Sequence, residues 1–236
     1  MKMIKKDRYS ENKILNLKQQ ELLSHKRVAV IGCGGLGGYA AEQFARLGIG
    51  ELVLCDGDSF DNSNLNRQLM CTEDNVGCSK AHETAKRIFD VNSEVRTIIK
   101  KEYLEEDNAV EILADCHLVI DAVDDKEVKL FLEKMCRKLE IPLVHGAVSG
   151  WFGQVSTVFP GDETLSAIYG ENPEKDDREF NGNTAFTPAM VASIQVAEGL
   201  KVLIGQGDIL RKKVLFIDLK HCDMQIMELS SGAEEG

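Results

Sequence analysis

The sequence predicts an α/β fold: a Rossmann-like doubly wound sheet, mainly parallel, with an antiparallel C-terminal extension. Three observations carry this expectation. Five short apolar runs, at residues 28–31, 52–54, 95–99, 117–123 and 142–148, alternate with helical patterns, as strands of a parallel sheet do. The first run ends in Gly32-Cys33-Gly34-Gly35-Leu36-Gly37, a G-x-G-x-x-G turn that opens an alanine-rich helical stretch. From residue 153 a strand-like run appears with no helix before it, and two further runs at 214–219 and 224–229 lie close enough in sequence to pair antiparallel.

Residues 1–24 read as an N-terminal helical arm, with Ile14, Leu15, Leu22 and Leu23 among polar neighbours, packing on its own domain or reaching a second subunit. At the glycine turn the missing Cβ atoms let the chain bend tightly and let a phosphate approach the N–H groups of a helix N-terminus. The second run closes at Asp56, at the spacing of an acceptor for ribose hydroxyls. Residues 59–77 are polar and poor in helix formers, and a polar stretch after a parallel strand is where such sheets place ligand contacts. Residues 79–90 read as a helix capped by Ser79 with Glu83 in its first turn, and 105–114 as an acidic, exposed helix. The evenly apolar run 117–123 predicts a buried strand ending at Asp124-Asp125, followed by an amphipathic helix over 126–139. Residues 160–187 read as a long loop carrying a solvated charge run at 174–179. An apolar helix starting at Pro188 is expected to be buried in the core or at a subunit interface. Segments 214–219 and 224–229 suit an antiparallel pair, and 230–236 a flexible tail, the whole forming a single domain over 1–236.

The 236 residues are 43% hydrophobic and 28% charged, ordinary for a globular domain. A net charge of −11 argues against DNA and against an anionic membrane as partner, since both call for a basic face. The first residues have lysines but no apolar core behind them, and no apolar run reads as long enough for a membrane-spanning helix. Seven cysteines, an odd number without any C-x-x-C pair, suggest reduced thiols in the cytoplasm that serve as packing, with no zinc expected. The five histidines have no metal spacing and read as structural or solvated.

In a parallel sheet the carboxyl ends of all strands share one edge. The glycine turn (Gly32, Gly34, Gly35, Gly37), Asp56 and Asp58, the run Ser63-Asn64-Leu65-Asn66-Arg67-Gln68, Lys80, and Asp124-Asp125 can therefore converge. Arginine and lysine beside a glycine-rich turn neutralise a triphosphate, one as a planar fork and the other as a point charge. A carboxylate on that edge suits Mg²⁺, which takes one or two carboxylates plus phosphate oxygens. Each group also has a plainer reading. Asp56 fits NAD as well as ATP, Lys80 fits a solvated first-turn lysine, Arg67 a carbonyl cap, and Asp124-Asp125 a helix N-cap.

Taken together these segments resemble the ThiF/MoeB/HesA family of sulfur-carrier adenylyltransferases, bacterial relatives of ubiquitin-activating enzymes. The likeness runs through RYS at 8–10, GCGGLG at 32–37, GIGELVLCDGD at 48–58, SNLNRQ at 63–68, VGCSK at 76–80, DAVDD at 121–125 and GQVSTVF at 153–159, in order over nearly the whole chain. SNLNRQ after D-x-D is the most specific of these, and dehydrogenases lack it. The resemblance implies ATP bound by these segments, with Arg67, Lys80 and Asp124 as catalytic groups and Asp124 near Mg²⁺. It also implies a homodimer, and a ubiquitin-like sulfur carrier whose C-terminal Gly-Gly carboxylate attacks the α-phosphate. This chain departs from the family in four respects. The two C-x-x-C pairs that bind zinc in many members are missing, and Glu11 stands where many have an arginine that reaches across the dimer, leaving Arg8 or Lys13 as substitutes. Asp125 replaces the usual asparagine, and no cysteine lies between Cys136 and Cys222, so adenylation without a cysteine thioester is expected. The alternatives are activation of an RNA-borne or small carboxylate, as in the tRNA threonylcarbamoyladenosine dehydratases, and a nucleotide-binding module without turnover.

Overall fold

The computed structural model describes residues 8–170 and 182–229. Its strands are β1 (Arg27–Ile31), β2 (Glu51–Cys55), β3 (Arg96–Lys100), β4 (Leu118–Asp121), β5 (Leu143–Ser149), β6 (Phe152–Val158), β7 (Lys213–Asp218) and β8 (Asp223–Glu228). They form one sheet in the order 3-2-1-4-5-6-7-8. Strands β1 to β5 pair in parallel and β5 to β8 antiparallel, so the doubly wound sheet and its C-terminal extension are both present. The helices are α1 (Leu17–Leu23), α2 (Gly37–Leu47), α3 (Lys80–Val91), α4 (Ala109–Leu113), α5 (Lys126–Lys138), α6 (Thr164–Tyr169) and α7 (Phe186–Ile204).

The evenly apolar strands follow from burial on both faces. Val28 and Val30 pack with Leu52, Leu118, Phe44 of α2 and Val191 of α7, while Ala29 and Ile31 pack with Val53, Val119, Ile112 of α4 and Leu132 of α5. Full burial of each Val, Leu, Ile or Phe among them contributes about 1.5–3 kcal/mol. Register then sets the functional edge. Ile31 lies level with Cys55 on one side and Asp121 on the other, so the chain leaves β1, β2 and β4 at one height. That is the point where the strand order reverses, and where open α/β sheets bind ligands.

Several expected boundaries move for local reasons. The helix expected over 105–114 shrinks to α4, because the Asn108 side chain accepts from the Glu105 N–H at 2.8 Å and closes the acidic stretch into a turn. The expected loop 160–187 contains α6, and α7 begins at Phe186 with Pro188 as its third residue, still in the turn whose N–H groups have no helical partner. The expectation that no apolar run reaches membrane-spanning length also fails. The 19 residues of α7 qualify by length and composition, yet this helix lies against β4, β5 and β6 with Gln195 and Glu198 buried, as a core helix does. The described part of the N-terminal arm packs on its own domain, where the Tyr9 hydroxyl accepts from Asn92 Nδ2 at 2.9 Å and Arg8 donates to the Val91 carbonyl at 3.2 Å. The charge run 174–179 and the tail 230–236 lie outside the described residues.

Candidate functional site

Gly32 turns the chain out of β1 at φ +88°, and a Cβ there would stand 2.6 Å from the Ala122 carbonyl oxygen. A Cβ on Gly37 would fall 1.8 Å from the Gly32 carbonyl oxygen, so these two glycines let the turn close and α2 start. Gly34 and Gly35 have more room, their nearest neighbours being the Gln68 amide at 3.4 Å and Pro188 at 3.7 Å. No side chain caps α2, although the Gly38 N–H donates to the Gly34 carbonyl at 3.1 Å, so the partial positive charge of the helix start meets no side-chain anion.

Asp56 pins this turn: Oδ2 accepts from the Cys33 N–H at 2.7 Å and Oδ1 from the Asp58 N–H at 2.8 Å. Burial pushes its pKa up, against those two amides and Lys80. Lys80, the first residue of α3 and itself buried, donates to Asp58 Oδ2 at 2.8 Å, and the Tyr103 hydroxyl donates to the other oxygen. The Lys80 hydrogen bond, followed by that of Tyr103, holds the Asp58 carboxyl below the usual range.

The SNLNRQ segment begins as a tight 3₁₀ turn (Asn62–Asn64). Asp61 accepts from the Ser63 N–H at 2.8 Å, and the Asn64 side chain returns to the Asp61 N–H at 3.1 Å. This turn presents Arg67, which donates to the Ser63 carbonyl and to Asn66 Oδ1, both at 2.9 Å. Asn66 in turn donates to the Asn183 carbonyl at 3.0 Å.

These elements surround a cavity of about 420 Å³. Of the residues singled out in the sequence, Gly32, Gly34, Gly35, Asp56, Asp58, Arg67, Gln68, Lys80, Asp124 and Asp125 line it. Gly37, Ser63, Asn64, Leu65 and Asn66 do not line the cavity. The first lies under the turn, and the others form or brace the 3₁₀ turn. Asp125 also caps α5 by accepting from the Val128 N–H at 3.0 Å, which matches its plainer reading. Sequence reasoning missed Glu102, Tyr103, Leu104, Lys129, Asn183 and Pro188 on the cavity wall. The position of Glu102, Tyr103 and Leu104 after β3, a strand of the parallel sheet, was the available clue. Among the described residues no three His, Cys, Asp or Glu side chains gather as a metal-binding group.

The sequence profile of the ThiF family matches residues 8–235. The SAMP-activating enzyme E1 of Haloferax volcanii is 34% identical over 218 residues, covering 90% of this chain and 81% of that protein. The molybdopterin-synthase adenylyltransferase of Escherichia coli is 31% identical over 216 residues, covering 89% and 86%. Other relatives are longer: the chain spans 50% of the adenylyltransferase and sulfurtransferase MOCS3-1 of Zea mays, at 28% identity. Among solved structures, Escherichia coli MccB with ATP superposes at TM-score 0.80 and 20% identity, covering 97% of this chain and 74% of that one. PaaA superposes at 0.81 and 23%, covering 97% and 76%, and both show the shared fold. With the profile matched from the arm to the last strand, and the glycine turn, Arg67, Lys80 and Asp124 around one cavity, the chain belongs to the ThiF family.

Proposed function

We propose that the chain is an ATP-dependent adenylyltransferase that activates the C-terminal glycine carboxylate of a ubiquitin-like sulfur carrier protein and releases pyrophosphate. One observation carries the reading. Arg67, Lys80, Asp124 and the glycine turn that leads into α2 border the same cavity, so two cations and a turn open to phosphate face the place where a triphosphate would lie.

The chemistry fits that donor set. A C-terminal carboxylate has a pKa of about 3.3–3.7 and is ionised at neutral pH, so it attacks without a general base. One carboxylate oxygen bonds to the α-phosphorus, and the α–β bridging bond breaks as pyrophosphate leaves with the electron pair. Two anions must meet in this step, and fixed positive charge lowers the barrier to it. Arg67 and Lys80 supply that charge, the second held in place by Asp58. Asp124 suits Mg²⁺, which needs one or two carboxylates beside phosphate oxygens and would screen charge on the leaving pyrophosphate. The relatives named for SAMP activation and molybdopterin synthase support a sulfur carrier as substrate, in thiamin, molybdopterin or related biosynthesis. The same reading places the protein in the cytoplasm as a homodimer without zinc. Arg8 bonds to Val91 and Lys13 pairs with Glu11 at 3.3 Å, so a trans contact to nucleotide by either would begin by breaking a contact within the arm's own chain.

ATP–pyrophosphate exchange tests the proposal. Exchange is expected to require a carrier ending in Gly-Gly, and to fall by roughly 10²–10³ in Lys80→Ala and in Asp124→Ala. Exchange with tRNA and no carrier would move the substrate to an RNA-borne carboxylate. Tight ATP binding without exchange under either condition would reduce the protein to a binding module.

A further inference from the structure

Beneath the cavity lies a buried polar network that the adenylation chemistry leaves unassigned. Asp121, fully buried at the end of β4, receives the Lys129 ammonium on both oxygens, at 3.1 and 3.0 Å, and His145 Nδ1 on Oδ2 at 2.6 Å. Lys129 also donates to the Gly146 carbonyl at 3.0 Å, so its ammonium is fully occupied within the protein although the residue lines the cavity. Asp121 Oδ1 further accepts from the Val123 N–H at 3.2 Å, one residue before Asp124. With the Nδ1 proton directed at Asp121, a neutral His145 ring offers Nε2 as acceptor to the Tyr169 hydroxyl and the Gln154 amide, each at 3.1 Å. Burial favours that neutral form, so this network holds one carboxylate and one ammonium in balance.

An ion pair this deep is a poor way to stabilise a core, since apolar residues of similar volume do as well or better. What the network supplies is position. It ties β4, β5 and α5 to the turn that bears Asp124, and through Tyr169 it extends to α6. That helix is fastened independently at its other end, where Glu133 of α5 accepts the N–H groups of Leu165 and Ser166 at 2.7 and 3.2 Å.

We propose that Tyr169 and His145 are positioning residues of the adenylation site: the Tyr169 hydroxyl, acting through His145 and Asp121, holds the turn that presents Asp124. The kinetic arm of this proposal rests on the adenylation reading; the structural arm does not. Tyr169→Phe removes only the hydroxyl. Its ring still meets His145 edge-on at 5.7 Å between centroids, and Glu133 still holds α6. Hydrogen–deuterium exchange at the Val123 amide should accelerate about tenfold, the net effect of one lost hydrogen bond, with β1 and β2 amides unchanged. In pyrophosphate exchange kcat should drop about tenfold, with the KM for ATP within about twofold of wild type. His145→Asn keeps a donor toward Asp121 and loses the Nε2 link, so it should reproduce Tyr169→Phe, and the double variant should be no worse than either single one. Unchanged exchange at Val123 in Tyr169→Phe, or additive losses in the double variant, would overturn the proposal. Faster exchange at Val123 in a protein whose wild type shows no pyrophosphate exchange would uphold the coupling and bring down the adenylation reading alone.

Discussion

A methyl group on Gly37 would stand 1.8 Å from a backbone oxygen that cannot swing aside, whereas one on Gly35 would rest 3.7 Å from Pro188. The two alanine variants should therefore separate folding from binding. Gly37→Ala is expected to lower stability by about 3 kcal/mol or more, read as a shift of the urea midpoint at unchanged slope. Gly35→Ala should stay within about 0.5 kcal/mol of wild type and weaken ATP binding in calorimetry, because its methyl enters the cavity wall. Equal loss of stability in both would contradict the packing described at this turn. The same contrast explains what was readable at this scale. The glycines, Asp56 and Asp124 follow apolar runs at spacings that a strand–turn–helix unit dictates, and Lys80 opens the helix after the polar stretch, so sequence order alone brings them to one edge. Lys129 was hidden, because a lysine in an amphipathic helix reads as solvated until Asp121 is found opposite it in the interior. Tyr103 was hidden in an acidic stretch that reads as surface, and only the fold carries its hydroxyl to Asp58.

The clearest lesson among the elements comes from α6, six residues long in a segment that reads as loop. So short a helix does not form on its own propensity, because nucleation fixes several residues for a single hydrogen bond. The carboxylate that satisfies its first amides belongs to Glu133, a residue of α5 that is itself buried, with the Ser166 hydroxyl adding a third donor at 3.0 Å. No local pattern announces such a cap. Glu133→Ala leaves two N–H groups short of an acceptor and should reduce stability by about 2 kcal/mol, with Glu133→Gln losing roughly half as much. Proteolysis within residues 164–169 should increase in parallel. A Glu133→Ala protein as stable and as protease-resistant as wild type would mean that α6 is held by its apolar contacts, Leu165 foremost. The long strands and helices were legible because their periodicity records which face is buried; α6 was not, because its support comes from across the fold.

At the scale of the whole molecule, the division into a parallel half and an antiparallel half was legible from the rhythm of helices between strands, and it leaves two kinds of interior. Beside β4 the parallel half buries ionisable groups, and these make stability depend on pH. Burial, first of all, depresses the pKa of His145 in the centre and of His117 at the start of β4, the second with help from Lys26. In the unfolded chain both would titrate near 6.5. Below that pH the unfolded state binds protons that the folded state does not, so stability is full above about 6.5 and declines as pH falls toward the depressed folded values. His145, fully buried, contributes a slope of up to about 1.4 kcal/mol per pH unit while the two states differ by a full proton, and the exposed His117, screened by solvent, contributes less. The acids act in a lower window. On Asp121 and Asp162 burial works upward, but Lys129 with His145, and Arg211, outweigh it and hold both carboxyls below the usual range. Their contributions are therefore present above about pH 3.9 and are lost only as pH drops through the depressed values. Urea unfolding at pH 7.5, 6.5 and 5.5 should accordingly show a decline that His145→Asn reduces by more than half, leaving the smaller His117 share. A slope untouched by His145→Asn would mean that the ring is charged in the folded protein, and with it the balance of one carboxylate against one ammonium at the cavity floor would be lost.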